Sequence, residues 1–503
     1  MEISGQPISL AQLHAVAHGN ERVGIPAETR ARVEQSRAVV QKILERGDAV
    51  YGVSTGFGKF SDVRIAPTQL RELQLNLVRS HCCGVGEPLS LAETRAIMLL
   101  RANVLALGCS GMRLAIIEAL CEMLNRGVHP VIPAKGSVGA SGDLAPLAHL
   151  ALALIGEGEC FYQGERLPSA DALTRAGLQP IVLEAKDGLA LLNGTQAMHA
   201  VGGLALYRAK RLAHVADVAG AMTLEGLMGT PRAFDARIHA ARPHRGQVAV
   251  AQHLRELLAD SEIRESHLQN DPRVQDAYSL RCMPQVHGAV RDVFAHVEAI
   301  LSVESASATD NPLVFADDGD VISGGNFHGA PLAMAFDYAA IALTDLMSIS
   351  ERRVESVVNP DLSYGLPAFL ARTPGLQSGM MIAQVAAAAL LNEAKVLAHP
   401  ASVDSVPTSA GKEDHVSMGM TAALKFRSIV EIAESLLAIE LLAAAEAVEH
   451  RRPLRSSECI ERAHAVVRKY AAPLTADRVL SGDIAQIASA IRAGEFDREH
   501  ENL

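Results

Sequence analysis

Tryptophan is absent from the 503 residues, and the other aromatics are few, with seven Tyr and eleven Phe. Positive charge is also short. Against 57 Asp and Glu stand 46 Lys and Arg, a net charge of −11, which argues against a surface built for nucleic acid or an anionic membrane, where cationic excess drives binding. The cysteines at 82, 83, 109, 121, 160, 282 and 459 include no C-x-x-C pair. Scattered and odd in number, they predict reduced thiols and a cytoplasmic location rather than a disulfide framework. No H-E-x-x-H or comparable spacing occurs among the 19 histidines, so no metal site is expected. Met1-Glu2-Ile3-Ser4 has no basic region leading into an apolar core, which predicts no secretory leader. Thr373 to Asn392 carries no charge but contains Gly375, Gln377, Gly379 and Gln384, and reads as a buried helix rather than a membrane span. Low-complexity tracts, solenoid repeats and linkers rich in Gly, Ser and Pro are missing as well. The partner that remains is a small soluble molecule.

What is abundant is alanine and leucine, with apolar residues spaced by three and four, which predicts a mainly helical, all-α fold. Met418 to His450 reads as one helix of about nine turns, free of proline and of glycine after Gly419, with Glu431, Glu434 and Glu440 set among apolar residues. Ala330 to Val358, stopped by Asn359-Pro360, and Gly202 to Gly226 read the same way. Three such helices predict a bundle. Before Ala200 the segments are shorter and richer in Gly and Pro. A soft boundary there separates an N-terminal portion, 1–200, from a helical portion, 201–503, within one compact unit.

The chemistry concentrates in Gly136-Ser137-Val138-Gly139-Ala140-Ser141-Gly142-Asp143-Leu144-Ala145-Pro146-Leu147. If the amide nitrogen of Gly142 attacks the Ala140 carbonyl and two waters leave, Ser141 becomes a dehydroalanine within a five-membered ring. No standard side chain is a good electron-pair acceptor, so such a ring replaces a borrowed cofactor. The missing Cβ of Gly142 permits the sharp fold that cyclisation needs. On composition alone an ordinary turn before a helix is the better fit. A serine-hydrolase elbow fits poorly, because Asp143 stands where G-x-S-x-G requires glycine, and the glycines match neither a phosphate loop nor a dinucleotide fingerprint.

The segment resembles the signature of the aromatic amino acid ammonia-lyase family. Five others match in order: Tyr51-Gly52-Val53-Ser54-Thr55-Gly56-Phe57-Gly58, Leu192-Asn193-Gly194-Thr195-Gln196, Gln275-Asp276-Ala277-Tyr278-Ser279-Leu280-Arg281-Cys282, Thr309-Asp310-Asn311-Pro312 and Glu413-Asp414-His415-Val416-Ser417-Met418. The resemblance implies a 4-methylidene-imidazol-5-one (MIO) formed from Ala140, Ser141 and Gly142, with no external cofactor. It implies a fumarase/aspartase-like all-α fold, in which an N-terminal MIO-bearing portion joins a central long-helix bundle. It also implies a homotetramer whose active sites draw on three subunits.

Eliminating ammonia requires a base for a weakly acidic β-proton and help for a poor leaving group. By the resemblance, Tyr278 and Tyr51 are the proton-transfer groups, with Tyr278 favoured as the base, since a phenol serves when nearby donors lower its pKa. Arg281, three residues on, is close enough to share a pocket with Tyr278 and suits a bidentate grip on the substrate carboxylate. Asn193 and Gln275 resemble the family's amides beside the MIO and the substrate, and Phe327, after Gly324-Gly325-Asn326, an aromatic wall.

Selectivity is carried by Asn76-Leu77-Val78-Arg79-Ser80-His81, whose Ser80-His81 resembles the histidine-specific pattern. His81 can hydrogen-bond an imidazole, whereas a phenyl ring would leave its nitrogen unpaired at about 1–3 kcal/mol. Glu413 points the same way, since a buried carboxylate facing a phenyl ring would be unpaired. The implied reaction is conversion of L-histidine to trans-urocanate and ammonia. The rivals are a tyrosine or phenylalanine lyase or aminomutase of the same family, and a silent helical scaffold. The chain departs from the family pattern at Ser54, Gly411-Lys412, Met283 and His287, and Lys412 stands where it could pair with Glu413 and alter its charge state or position.

Overall fold

The computed structural model describes every residue except Asn20, Asn270, Pro272 and 498–503. The fold is mainly helical. Among the described residues the named strands form three small antiparallel sheets: Val85–Pro88 with Pro133–Lys135, His129–Pro130 with Glu159–Tyr162 and Glu165–Pro168, and Leu313–Phe315 with Asp320–Ile322.

The long helices appear where apolar spacing and the absence of proline predict them. Ala330–Val358 has the expected bounds, Gly419–Glu449 runs 31 residues, and the third begins at Gln196 rather than Gly202 and ends at Gly226. Gly202 permits close packing, since a Cβ there would stand 2.6 Å from Cδ1 of Phe336. Ala330–Val358 is long and apolar enough to cross a bilayer, but 72% of its most apolar window is buried within the protein.

Within Gly419–Glu449, Glu434, Glu440 and Glu446 are buried while Glu431 is exposed. A buried carboxylate is tolerated only with partners. Glu434 pairs with Arg208 and Arg492 at 2.8 Å each, Glu440 with Arg353, and Glu446 with Arg468 at 2.9 Å.

The buried helix expected over Thr373–Asn392 needs correction. The helix is Met381–Leu397. Upstream, Gly375 and Gly379 take φ of +94° and +55°, values a right-handed helix does not use, and the Ser378 and Gly379 amides donate to Asp477. Only one face is covered, with Ala383, Ala387, Leu391 and Ala394 buried and Ile382, Val385 and Val396 exposed.

The fold divides into two compact units. The first comprises Met1–Tyr207, Val297–Asp337 and Pro400–Leu424, and the second Arg208–His296, Tyr338–His399 and the chain from Lys425. The boundary drawn near Ala200 lies close to the first division, but two later stretches return to the first unit.

Candidate active site

The Ala140-Ser141-Gly142 turn is clamped by backbone rather than by bulky side chains. Gly142 takes φ +74° and forms an isolated parallel bridge with Gly194, and the amide of Asp143 donates to the Gly194 carbonyl at 2.7 Å. A Cβ at Gly142 would lie 2.5 Å from the Gly194 carbonyl carbon and 2.7 Å from its nitrogen. Gly194 is confined in turn, because a Cβ on it would sit 2.9 Å from Thr309 Oγ1. Beneath it Gln196 links Arg101 Nη1, at 2.5 Å, to Thr309 Oγ1, at 2.9 Å. Asp143 is fully buried, accepting from Met198 N and Ser137 Oγ at 2.8 Å each, yet burial pushes its carboxyl up to about 6. The residues fit a ring built from this tripeptide, since only glycine can occupy position 142 at this spacing.

Two adjoining cavities open beside Ser141, of about 780 and 480 Å3. Tyr51, Ser141, Asn193 and Glu413 line both; His81 lines the larger, and Phe327 and Ala140 the smaller. Six of the sequence-predicted residues thus meet around Ser141, with Gly142 in the same turn. Each arrives on a different element: His81 ends the helix Leu70–His81, Asn193 follows Asp187–Leu192, and Glu413 lies just beyond the short turn Ser409–Gly411.

Ser141 Oγ donates to Glu413 Oε1 at 2.9 Å, while Thr408 Oγ1 and Ser409 Oγ donate to Oε2 at 2.6 and 2.9 Å. Lys412 lines the smaller cavity, but the Glu413 carboxylate is held by these hydroxyls and, among the described residues, forms no ion pair with Lys412. His81 Nδ1 lies 2.8 Å from the Leu77 carbonyl, which fixes the proton on Nδ1 and leaves Nε2 an acceptor. Burial lowers the His81 pKa, with the Leu77 bond opposing it, so the ring is neutral. Tyr51 moves the other way from a ready base: burial raises its pKa, against a hydrogen bond with the Gly58 backbone, and nearby Asp310 and Glu413 add to the rise. Its phenol therefore holds its proton. Asn193 Nδ2 donates to the Asn311 carbonyl at 3.1 Å.

Gln275, Tyr278 and Arg281 belong to the second unit and line neither cavity. Tyr278–Arg281 form one short helix, and the Arg281 guanidinium carbon lies 4.5 Å from the Tyr278 ring centroid, so these two do share a surface. Tyr278 is 71% exposed, and Arg281 Nε is buried with no hydrogen-bond partner among the described residues. A network that motif reading missed supports this turn. Arg353 Nη1 donates to the Ser279 carbonyl at 3.4 Å and contacts His287 Nε2 at 3.2 Å, and His287 Nδ1 meets Asp217 Oδ1 at 2.7 Å. Burial alone would raise the Asp217 pKa, but Arg291 and bonds from His253 and His287 hold it well below the carboxylate range. The departure at His287 thus has a partner in Asp217. Ser54 also has its own use, donating to the Asp48 carbonyl at 2.7 Å.

The sequence matches the profile described as aromatic amino acid lyase over residues 8–469. It is 55% identical to the histidine ammonia-lyase of Koribacter versatilis over 508 aligned residues, covering 99% of this chain and 98% of that protein. Among solved structures it resembles the histidine ammonia-lyase of Trypanosoma cruzi, with TM-score 0.92 and 44% identity, covering 99% of this chain and 94% of that one. It also resembles the tyrosine aminomutase of Streptomyces globisporus, with TM-score 0.94 and 38% identity, covering 99% and 98%. Profile, relatives and the glycine-clamped tripeptide agree, and the chain belongs to the aromatic amino acid lyase family.

Proposed function

We propose that the chain deaminates L-histidine without oxidation, giving trans-urocanate and ammonia as the first step of histidine degradation. It is a carbon–nitrogen lyase acting on a small-molecule substrate. The observation that carries the choice of histidine is the pairing of His81 and Glu413 in one cavity with Ser141. Both are acceptors toward an incoming ring. A neutral imidazole presents one N–H donor to this pair, and an imidazolium presents two, whereas a phenyl ring presents none and strands two polar groups.

The MIO formed from Ala140, Ser141 and Gly142 supplies an electrophile that eases departure of the amine. The remaining work falls to side chains. Asn193 offers an amide N–H where negative charge develops, Phe327 walls the pocket, and Tyr51, kept protonated, serves as a proton donor. Tyr278 takes the β-proton and Arg281 grips the carboxylate, with Gln275 beside them. These three reach the substrate from other copies in a homotetramer, a reading supported by the exposure of Tyr278 and the unpartnered Nε of Arg281. The thiols at seven dispersed positions support a cytoplasmic location.

The test is ultraviolet absorbance of the conjugated acrylate formed from L-histidine, L-tyrosine or L-phenylalanine, with Ser141→Ala as control. Urocanate from histidine alone, lost in the variant, is expected. Product from tyrosine only would favour the reading suggested by the aminomutase likeness.

A further inference from the structure

Glu413 holds the hydroxyl that ring formation at Ala140-Ser141-Gly142 would have to expel. Ser141 Oγ donates to Oε1 at 2.9 Å, and the carboxylate is kept in place by Thr408 and Ser409 on Oε2 and by the Thr408–Glu413 backbone pairing. Facing a substrate ring requires no such contact. The carboxyl nearest in sequence, Asp143, is engaged elsewhere, with both oxygens accepting from Ser137 Oγ and Met198 N. We propose that Glu413 is also the proton-transfer group that removes water from Ser141 while the electrophile forms. The inference rests on the reading that Ala140-Ser141-Gly142 cyclises.

The steps balance. Gly142 N bonds to the Ala140 carbonyl carbon, whose oxygen departs as water with the amide hydrogens of Gly142 and Ser141, leaving a C=N bond to Ser141 N. Ser141 Cα, now between C=N and C=O, releases its proton to Glu413 Oε1. The electron pair left behind forms Cα=Cβ, the Cβ–Oγ bond breaks, and the proton passes from Oε1 to Oγ, which leaves as the second water. Glu413 ends as it began, and nothing is oxidised or reduced.

Intact mass of the purified full chain tests this apart from turnover. Wild type is expected two waters lighter than its sequence, and Ser141→Ala, which has no hydroxyl to expel, is expected to keep at least one of those waters. Folded Glu413→Gln, checked by circular dichroism, is expected to retain at least one of those waters, with maturation slowed about 10²-fold or more. Thr408→Val, which leaves Glu413 present but frees one contact on Oε2, is expected to slow the mass loss in a time course after synthesis, and it stands in if Glu413→Gln does not fold. If Glu413→Gln is as light as wild type, or Thr408→Val matures at the wild-type rate where it stands in, the inference is overturned while the lyase reading survives. A wild-type chain at full mass would overturn both.

Discussion

Gly142→Ala separates folding from ring formation. The added Cβ would stand 2.5 Å from the Gly194 carbonyl carbon and nearer still to its oxygen, where ordinary contact begins at 3.4 Å, so the bridge must open by at least about 0.9 Å. The obstacle is backbone and cannot rotate aside. Holding alanine at the left-handed φ of +74° costs about 1–2 kcal/mol, and loss of the Asp143 N to Gly194 O bond about 1 kcal/mol more. The total, about 2–3 kcal/mol, is smaller than a typical folding stability of about 5–15 kcal/mol. The variant is therefore expected to fold, to unfold at a lower urea concentration, and to keep the mass of its sequence, because the opened turn no longer presses nitrogen 142 toward carbonyl 140. Urea titration with intact-mass measurement reads both. A Gly142→Ala chain with the urea midpoint and the two-water loss of wild type would refute the clamp.

Two further outcomes are expected. On the role proposed for Arg281, Arg281→Ala removes a charge-assisted grip worth about 3 kcal/mol, so kcat/KM for histidine is expected to fall roughly 150-fold; near-normal efficiency would remove Arg281 from the carboxylate. Burial raises the Asp143 pKa from 3.8 to about 6, so its protonated form is favoured by folding. Stability on this account is full below 3.8 and falls as pH rises to about 6, by up to about 1.4 kcal/mol per unit. In Asp143→Asn that component of the urea midpoint's pH dependence should vanish, and an unchanged slope would show that the group ionises freely.

The long helices were legible because alanine and leucine at helical spacing, unbroken by proline, leave few alternatives. Thr373–Asn392 misled because lack of charge says nothing of φ, and two left-handed glycines set the true start at Met381. In the site, Tyr51, His81, Asn193, Phe327 and Glu413 stood in recognisable motifs and meet at Ser141. Thr408 and Ser409 carried no such signal, since hydroxyls that hold a carboxylate follow no spacing rule. Buried pairs such as Lys186–Asp310, at 2.6 Å with both side chains fully covered, join residues far apart in the chain that only the fold brings together. Lys412 shows the converse, because adjacency in sequence left its pairing with Glu413 open and the carboxylate takes Ser141, Thr408 and Ser409 instead.

The contact between Ser141 and Glu413 spans 272 positions of chain, and the first unit is assembled from three separate stretches. A ribosome delivers Glu413 long after Ser141, so the nascent chain carries an inert serine through most of its synthesis. On the proposed route the electrophile is withheld until its container is complete, which would spare the cell a reactive alkene on an unfolded polypeptide. Loss of two waters would then act as a timestamp, written into the covalent mass, of when distant parts of the chain first came together.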